Sequence, residues 1–245
     1  MRYKITVEYD GTDFLGWQVQ KDGPSIQGEL VRAIKALTGE DVQVDGSGRT
    51  DAGVHAMAQV ASFDLSKKIS LKTLRDGLNA HLRPLPISVL SAQQVEDDFH
   101  ARFSATRRHY LYRVVSRRSP LAIMRNYASQ VYLPLDLKAM QEAAKLLIGK
   151  HDFSTFRAAE CQAKSPIKTL EKIEIVQDGD VFSFYVSAPS FLHHQVRNIV
   201  GTLLQVGTGK WALSKFEKAF KACDRTKGGP TAPACGLYFL AVDYV

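Results

Sequence analysis

The feature that most constrains this fold is an order of hydrophobic periods that occurs twice. Residues 3 to 9 alternate polar and apolar side chains, as a half-buried strand does. Over 25 to 38, Ile26, Leu30, Ile34 and Leu37 fall on one helical face, and Gly39 stands where that helix should stop. Extended stretches at about 42 to 47 and 54 to 64, a helix near 70 to 81 and a strand over 87 to 95 complete a βαββαβ order. The second half predicts that order again. It has a strand at 109 to 115, a helix capped by Asp136 with Leu137, Met140, Ala144 and Leu147 on one stripe, and extended runs near 168 to 177 and 181 to 187. Helices near 192 to 206 and 214 to 222 and a strand over 237 to 245 follow. Two such units predict an α+β chain of two fused ferredoxin-like halves, with antiparallel sheets, helices on one face of each, and a cleft between the halves. The expected domains are 1–104 and 105–245, with no Pro/Gly/Ser linker or low-complexity tract to mark their junction.

Charge narrows the class of partner. The 245 residues carry 32 Lys and Arg against 25 Asp and Glu, so 32 − 25 leaves +7, which favours a polyanion. The opening residues lack the apolar core of a signal peptide, and no run approaches the roughly 18 apolar residues of a membrane helix. A cytoplasmic chain with no membrane partner is therefore expected. Cys161, Cys223 and Cys235 are odd in number and without Cys-x-x-Cys spacing, which argues for reduced thiols rather than a disulfide framework or thiolate metal site.

The densest chemistry lies in Gly46-Ser47-Gly48-Arg49-Thr50-Asp51-Ala52-Gly53. Three glycines in eight residues permit a sharp turn with positive φ and close approach of a ligand to backbone. From the residues alone, Thr50 and Asp51 read equally as ordinary turn residues satisfying nearby amides. A phosphate cradle fits poorly, because neither Gly-x-Gly-x-x-Gly nor a P-loop ending is present.

The run Gly48-Arg49-Thr50-Asp51-Ala52-Gly53-Val54-His55-Ala56 resembles the signature of the TruA-type tRNA pseudouridine synthases. The resemblance extends to Asp10–Gln20, Phe103–Arg113, Phe191–Gly201 and Thr231–Tyr238, and so covers nearly the whole chain. It implies that Asp51 is the catalytic carboxylate and that Arg49 displaces or holds a flipped nucleotide. Ser47, where many members carry Ala, lies outside the motif. The implied reaction is isomerisation of uridines 38, 39 and 40 in the tRNA anticodon stem-loop. The N-glycosidic bond breaks, uracil turns, and C5 joins C1′, with the base flipped into the pocket. No atoms are gained or lost, so no metal, nucleotide or redox cofactor is expected. Attack of Asp51 on C1′, addition to C6, or removal of a ribose proton each requires an ionised carboxylate. The resemblance also implies a homodimer, and makes the predicted cleft the active site.

In the second half, alternation sets Tyr110 and Tyr112 on one strand face, either as ordinary sheet residues or as a base-stacking pair. The resemblance places Tyr110 against the target base. It makes Arg197 the basic partner of Asp51, a role in which a guanidinium keeps a carboxylate ionised and oriented. Helical spacing sets His193, Arg197 and Gly201 on one face, and glycine there would admit another backbone or the substrate. His193 and His194 lack a third ligand at suitable spacing, so no metal is expected. His55 reads as loop scaffold or as a general base. Trp17 reads as core or as part of a loop reaching toward RNA. Arg102, Arg107, Arg108, Arg113, Arg117, Arg118 and Arg125, interleaved with Tyr110, Tyr112 and Tyr127, suggest a phosphate track.

Two other classes remain open on sequence. A non-catalytic RNA-binding protein built on an RRM-like duplicated sheet would be expected to carry an RNP1-like run, and none is present. A glycosidase or nucleoside hydrolase would need a second acid near Asp51, and none is evident.

Overall fold

The computed structural model describes Met1–Val245. It is a mixed α/β chain with five α-helices, grouped into two compact units. The first comprises Met1–Thr106 with Tyr238–Val245, the second Arg107–Leu237. No helix is long and apolar enough to cross a membrane.

The first unit opens β1 (Arg2–Tyr9), α1 (Ile26–Thr38), β2 (Asp45–Gly46), β3 (His55–Asp64), α2 (Leu71–Leu82) and β4 (Ile87–Val95), which is the predicted order. β1 lies between β3 and β4, antiparallel to both, and β2 pairs antiparallel with β3. Local chemistry explains α1 well. The Ser25 hydroxyl accepts from Gly28 N–H at its start, Ile26, Leu30, Ala33 and Ile34 are buried, and Gly39 ends it in the left-handed region. α2 is built the same way, with Ser70 capping Thr73 N–H and Leu74, Leu78 and Leu82 buried.

The second unit contains β5 (Ala105–Ser116, its first two residues in the first unit), β6 (Ser129–Val131), α3 (Leu137–Lys145), β7 (Gly149–Asp152), β8 (Ile167–Leu170), β9 (Lys172–Asp178), β10 (Val181–Ala188), α4 (Gln195–Gly207) and α5 (Leu213–Lys221). β10 pairs antiparallel with both β5 and β9, β6 runs parallel to β5, and β7 and β8 form a separate pair. Asp136 caps α3 as expected, accepting from Ala139 N–H at 3.0 Å. The extended run expected over 168 to 177 is two strands in different sheets, β8 and β9.

The closing strand, β11 (Leu237–Tyr244), pairs in parallel with β3, Tyr238 opposite His55 and Phe239 opposite Ala56. It therefore belongs almost wholly to the first unit.

Candidate active site

Asp51 sits between β2 and β3 on a loop held by the segment that follows β1. Trp17 N–H donates to the Thr50 carbonyl at 3.0 Å, Gly53 N–H to that of Phe14 at 3.4 Å, and Val54 N–H to that of Asp51 at 3.2 Å. Gly16 makes this approach possible. Its φ is 99°, and a Cβ there would lie 2.4 Å from the Thr50 carbonyl oxygen. Of the three glycines that permit a turn with positive φ, Gly53 adopts it.

Side chains complete the grip. The Tyr9 hydroxyl and Thr50 Oγ1, both buried, are 2.8 Å apart. Gln59 of β3 is fully buried; its Nε2 donates to the Gly48 carbonyl at 2.7 Å and its Oε1 accepts from the Ser47 hydroxyl. Burial pushes the Tyr9 phenol above its usual range, against the opposing effect of bonds to Thr50 and Gln59. With Thr50 directed inward, its neighbours differ: Arg49 is exposed and Asp51 half-buried. The loop thus displays a carboxylate from backbone that is tied down on both sides. Tyr9 and Gln59 were missed by sequence reasoning, since each looks like any other strand residue until its partner is known.

His55, only 2% exposed, is part of the scaffold. Its Nδ1 lies 3.1 Å from Gly11 N and 3.0 Å from Asp10 Oδ1, and its ring stacks on Tyr238 at 4.9 Å. Trp17 is also core, 2% exposed and 6.3 Å from the Tyr9 ring.

In the second unit, β5 places Tyr110 opposite Val186 of β10. Tyr110 is half-buried, its ring meeting Phe191 edge-on at 5.0 Å. Tyr112 is wholly buried, and its hydroxyl donates to the Pro233 carbonyl at 2.7 Å. The two tyrosines therefore do different work, and stacking on a base is open only to Tyr110.

Helix α4 starts at Gln195, later than the predicted 192. His194 adopts φ 60°, and Gln195 Oε1 accepts Leu192 N–H at 2.8 Å, so His193 precedes the helix and does not share its face. Arg197 and Gly201 do stand one turn apart on it. Arg197 is half-buried, and its Nε donates to the Ala232 carbonyl at 2.8 Å.

The arginine track is partly committed elsewhere. Arg107 pairs with Glu171, Arg117 Nη1 lies 3.4 Å from Asp180, and Arg108 and Arg125 donate to the carbonyls of Pro189 and Ala122. In the first unit, the Arg102 guanidinium lies 5.6 Å from the centre of the Phe103 ring.

A family model described as tRNA pseudouridine synthase matches residues 5–104 and 143–245. The chain belongs to the tRNA pseudouridine synthase family. Among relatives named tRNA pseudouridine synthase A, that of Xanthobacter autotrophicus is 57% identical over 243 residues, covering 99% of each chain. Those of Rhodopseudomonas palustris and Maricaulis maris are 56% and 54% identical over the same length, covering 99% of this chain and 99% and 98% of their own. Arg49, Asp51 and Arg197 fall within the matched spans of the tRNA pseudouridine synthase model, whereas Tyr110 falls in the unmatched 105–142 stretch.

Proposed function

We propose that this chain converts uridines 38, 39 and 40 of the tRNA anticodon stem-loop to pseudouridine, with Asp51 as catalytic carboxylate and Arg49, Tyr110 and Arg197 as substrate-binding residues. As a tRNA pseudouridine synthase it is an isomerase that acts on uridine in tRNA. The observation that carries the assignments of Asp51, Arg49 and Arg197 is the family match running through the Asp51 loop and α4, while that of Tyr110 rests on the resemblance of Phe103–Arg113 and on its half-buried ring. Further support comes from the loop itself, whose backbone is anchored around a half-buried carboxylate. A pre-positioned carboxylate need not be reorganised during the reaction, which is where much of the gain from such a group lies.

In the reaction the N1–C1′ bond breaks, the uracil turns, a C5–C1′ bond forms, the C5 proton leaves and N1 takes up a proton. Asp51 serves this exchange by attack on C1′, by addition to C6 or by removal of a ribose proton, each of which needs the ionised carboxylate. Tyr110 offers a half-buried ring face to the base, and Arg49 and Arg197 offer guanidinium donors to the displaced nucleotide and its surroundings. The reading also takes 1–104 and 105–245 as fused ferredoxin-like halves, with β11 at the end of the second grouped with the first unit; support in the first half comes from the order of β1 to β4 and their antiparallel pairing. It places the enzyme in the cytoplasm as a homodimer, as the family resemblance implies.

The test is release of tritium from C5 of uridine in tRNA. Wild type should release label from anticodon-arm uridines, and Asp51→Asn should abolish release while tRNA still binds. Release that is unchanged in Asp51→Asn removes Asp51 from catalysis, and release confined to uridines outside 38 to 40 overturns the substrate assignment.

A further inference from the structure

We infer that Asn198, Thr231 and Arg225 are positioning residues for the isomerisation, holding the 229–233 segment on α4 so that Ala232 orients the Arg197 guanidinium. This rests on the proposed role of Arg197 toward the substrate. The link from segment to side chain is direct. Arg197 Nε donates to the Ala232 carbonyl at 2.8 Å, and Ala232 N–H donates back to the Arg197 carbonyl at 3.1 Å. Displacement of Ala232 therefore removes the bond that orients the guanidinium through its Nε.

Residues 229 to 233 have no regular secondary structure, and Pro230 and Pro233 have no N–H to give. Apart from the Ala232 N–H bond to the Arg197 carbonyl, their position comes from side chains. Arg225 Nη1 donates to the Gly229 carbonyl at 2.9 Å, while its Nη2 reaches Thr231 Oγ1 at 3.1 Å and Asn198 Oδ1 at 3.2 Å. The Thr231 hydroxyl donates to the same Asn198 oxygen at 2.6 Å. Asn198 has no exposed surface, and its Nδ2 donates to the Phe156 carbonyl at 2.9 Å. One turn on, Thr202 Oγ1 accepts Gly229 N–H at 2.9 Å and donates to the Asn198 carbonyl at 2.7 Å.

Steric fit completes the seat. A Cβ at Gly201 would lie 1.8 Å from the Pro230 carbonyl oxygen, so α4 accepts the segment only because it is glycine there. The helix that carries Arg197 thus supplies, from the next residues along, the groups that hold the segment which in turn orients Arg197. A guanidinium donates in a rigid planar fork, so a small rotation misdirects several N–H groups at once. Misplacement of about 1 Å can cost on the order of a hundredfold in rate.

The experiment compares Thr231→Val, which keeps shape and loses the hydroxyl, with Thr231→Ser, which keeps the hydroxyl. Each is made in wild type and in Arg197→Ala, and scored by tritium release under single turnover and by tRNA affinity. Thr231→Val should lower the rate about tenfold with affinity within about twofold, Thr231→Ser should restore it, and Thr231→Val should add nothing in Arg197→Ala. Full activity in Thr231→Val, or an equal further loss in Arg197→Ala, overturns the positioning role while leaving Arg197 in place. Wild-type turnover in Arg197→Ala itself overturns the Arg197 reading and the inference with it. If Thr231→Val fails to fold, Arg225→Lys, which keeps the charge but cannot span the same partners, gives the same pattern of rate against affinity, and an unchanged rate in it counts against the inference.

Discussion

Tyr110 and Tyr112 stand two residues apart on one strand, yet one is half-buried and the other shows no surface. What separates them is the chain above Tyr112, where the Pro233 carbonyl accepts a hydrogen bond from its hydroxyl. Burial is the main reason the Tyr112 phenol lies above its usual range, against the opposing bond to Ser129. Below about pH 10 the phenol is protonated both folded and unfolded, so its contribution to stability is complete. Above that value the unfolded chain ionises first and stability falls. Urea midpoints measured across this range should therefore drop less steeply in Tyr112→Phe, and an identical slope would show that the phenol is not protected. At this scale the sequence was uneven in what it revealed. The Asp51 motif was legible because its nine residues are contiguous. Its supports were not, since Tyr9 reaches Thr50 across 41 residues and Gln59 is a polar residue in the middle of a strand.

Among the elements, helices were the most legible, because caps and apolar stripes are local. Ser25, Gly39 and Asp136 all stand at ends where side-chain or left-handed caps form. The start of α4 was misplaced because Leu192 continues the apolar pattern while His194 breaks the backbone with a positive φ. The run over 168 to 177 was read as one strand because a period of two says nothing about which partner a strand will choose. Connections matter as much as elements here. Gly16→Ala would force a side chain into a left-handed position against the Thr50 carbonyl, and should destabilise the fold by more than about 1 kcal/mol. It should also depress tritium release beyond the loss expected from stability alone. Thermal melting with activity measured well below the transition checks both, and a neutral substitution would mean that the two loops are not in close register.

For the molecule as a whole, the net charge of +7 predicts salt-sensitive tRNA binding, but the charges are not equivalent. Arg107 and Arg117 already face Glu171 and Asp180, whereas Arg118 is exposed. If Arg118 contacts a phosphate, Arg118→Ala should reduce the slope of log affinity against log salt by about one, and Arg107→Ala should change it less. Equal slopes for wild type and Arg118→Ala would remove that residue from the contact surface. The order of elements in the first unit was readable along the chain, but the short strands β6 and β7 and the destination of β11 were not, because pairing between residues 55 and 238 leaves no local pattern. That pairing sets a condition on biosynthesis. The unit that carries Asp51 is completed by a strand translated only after the rest of Arg107–Leu237, so the first residues of β3 acquire their last partner late in synthesis and until then offer unpaired backbone groups on that side.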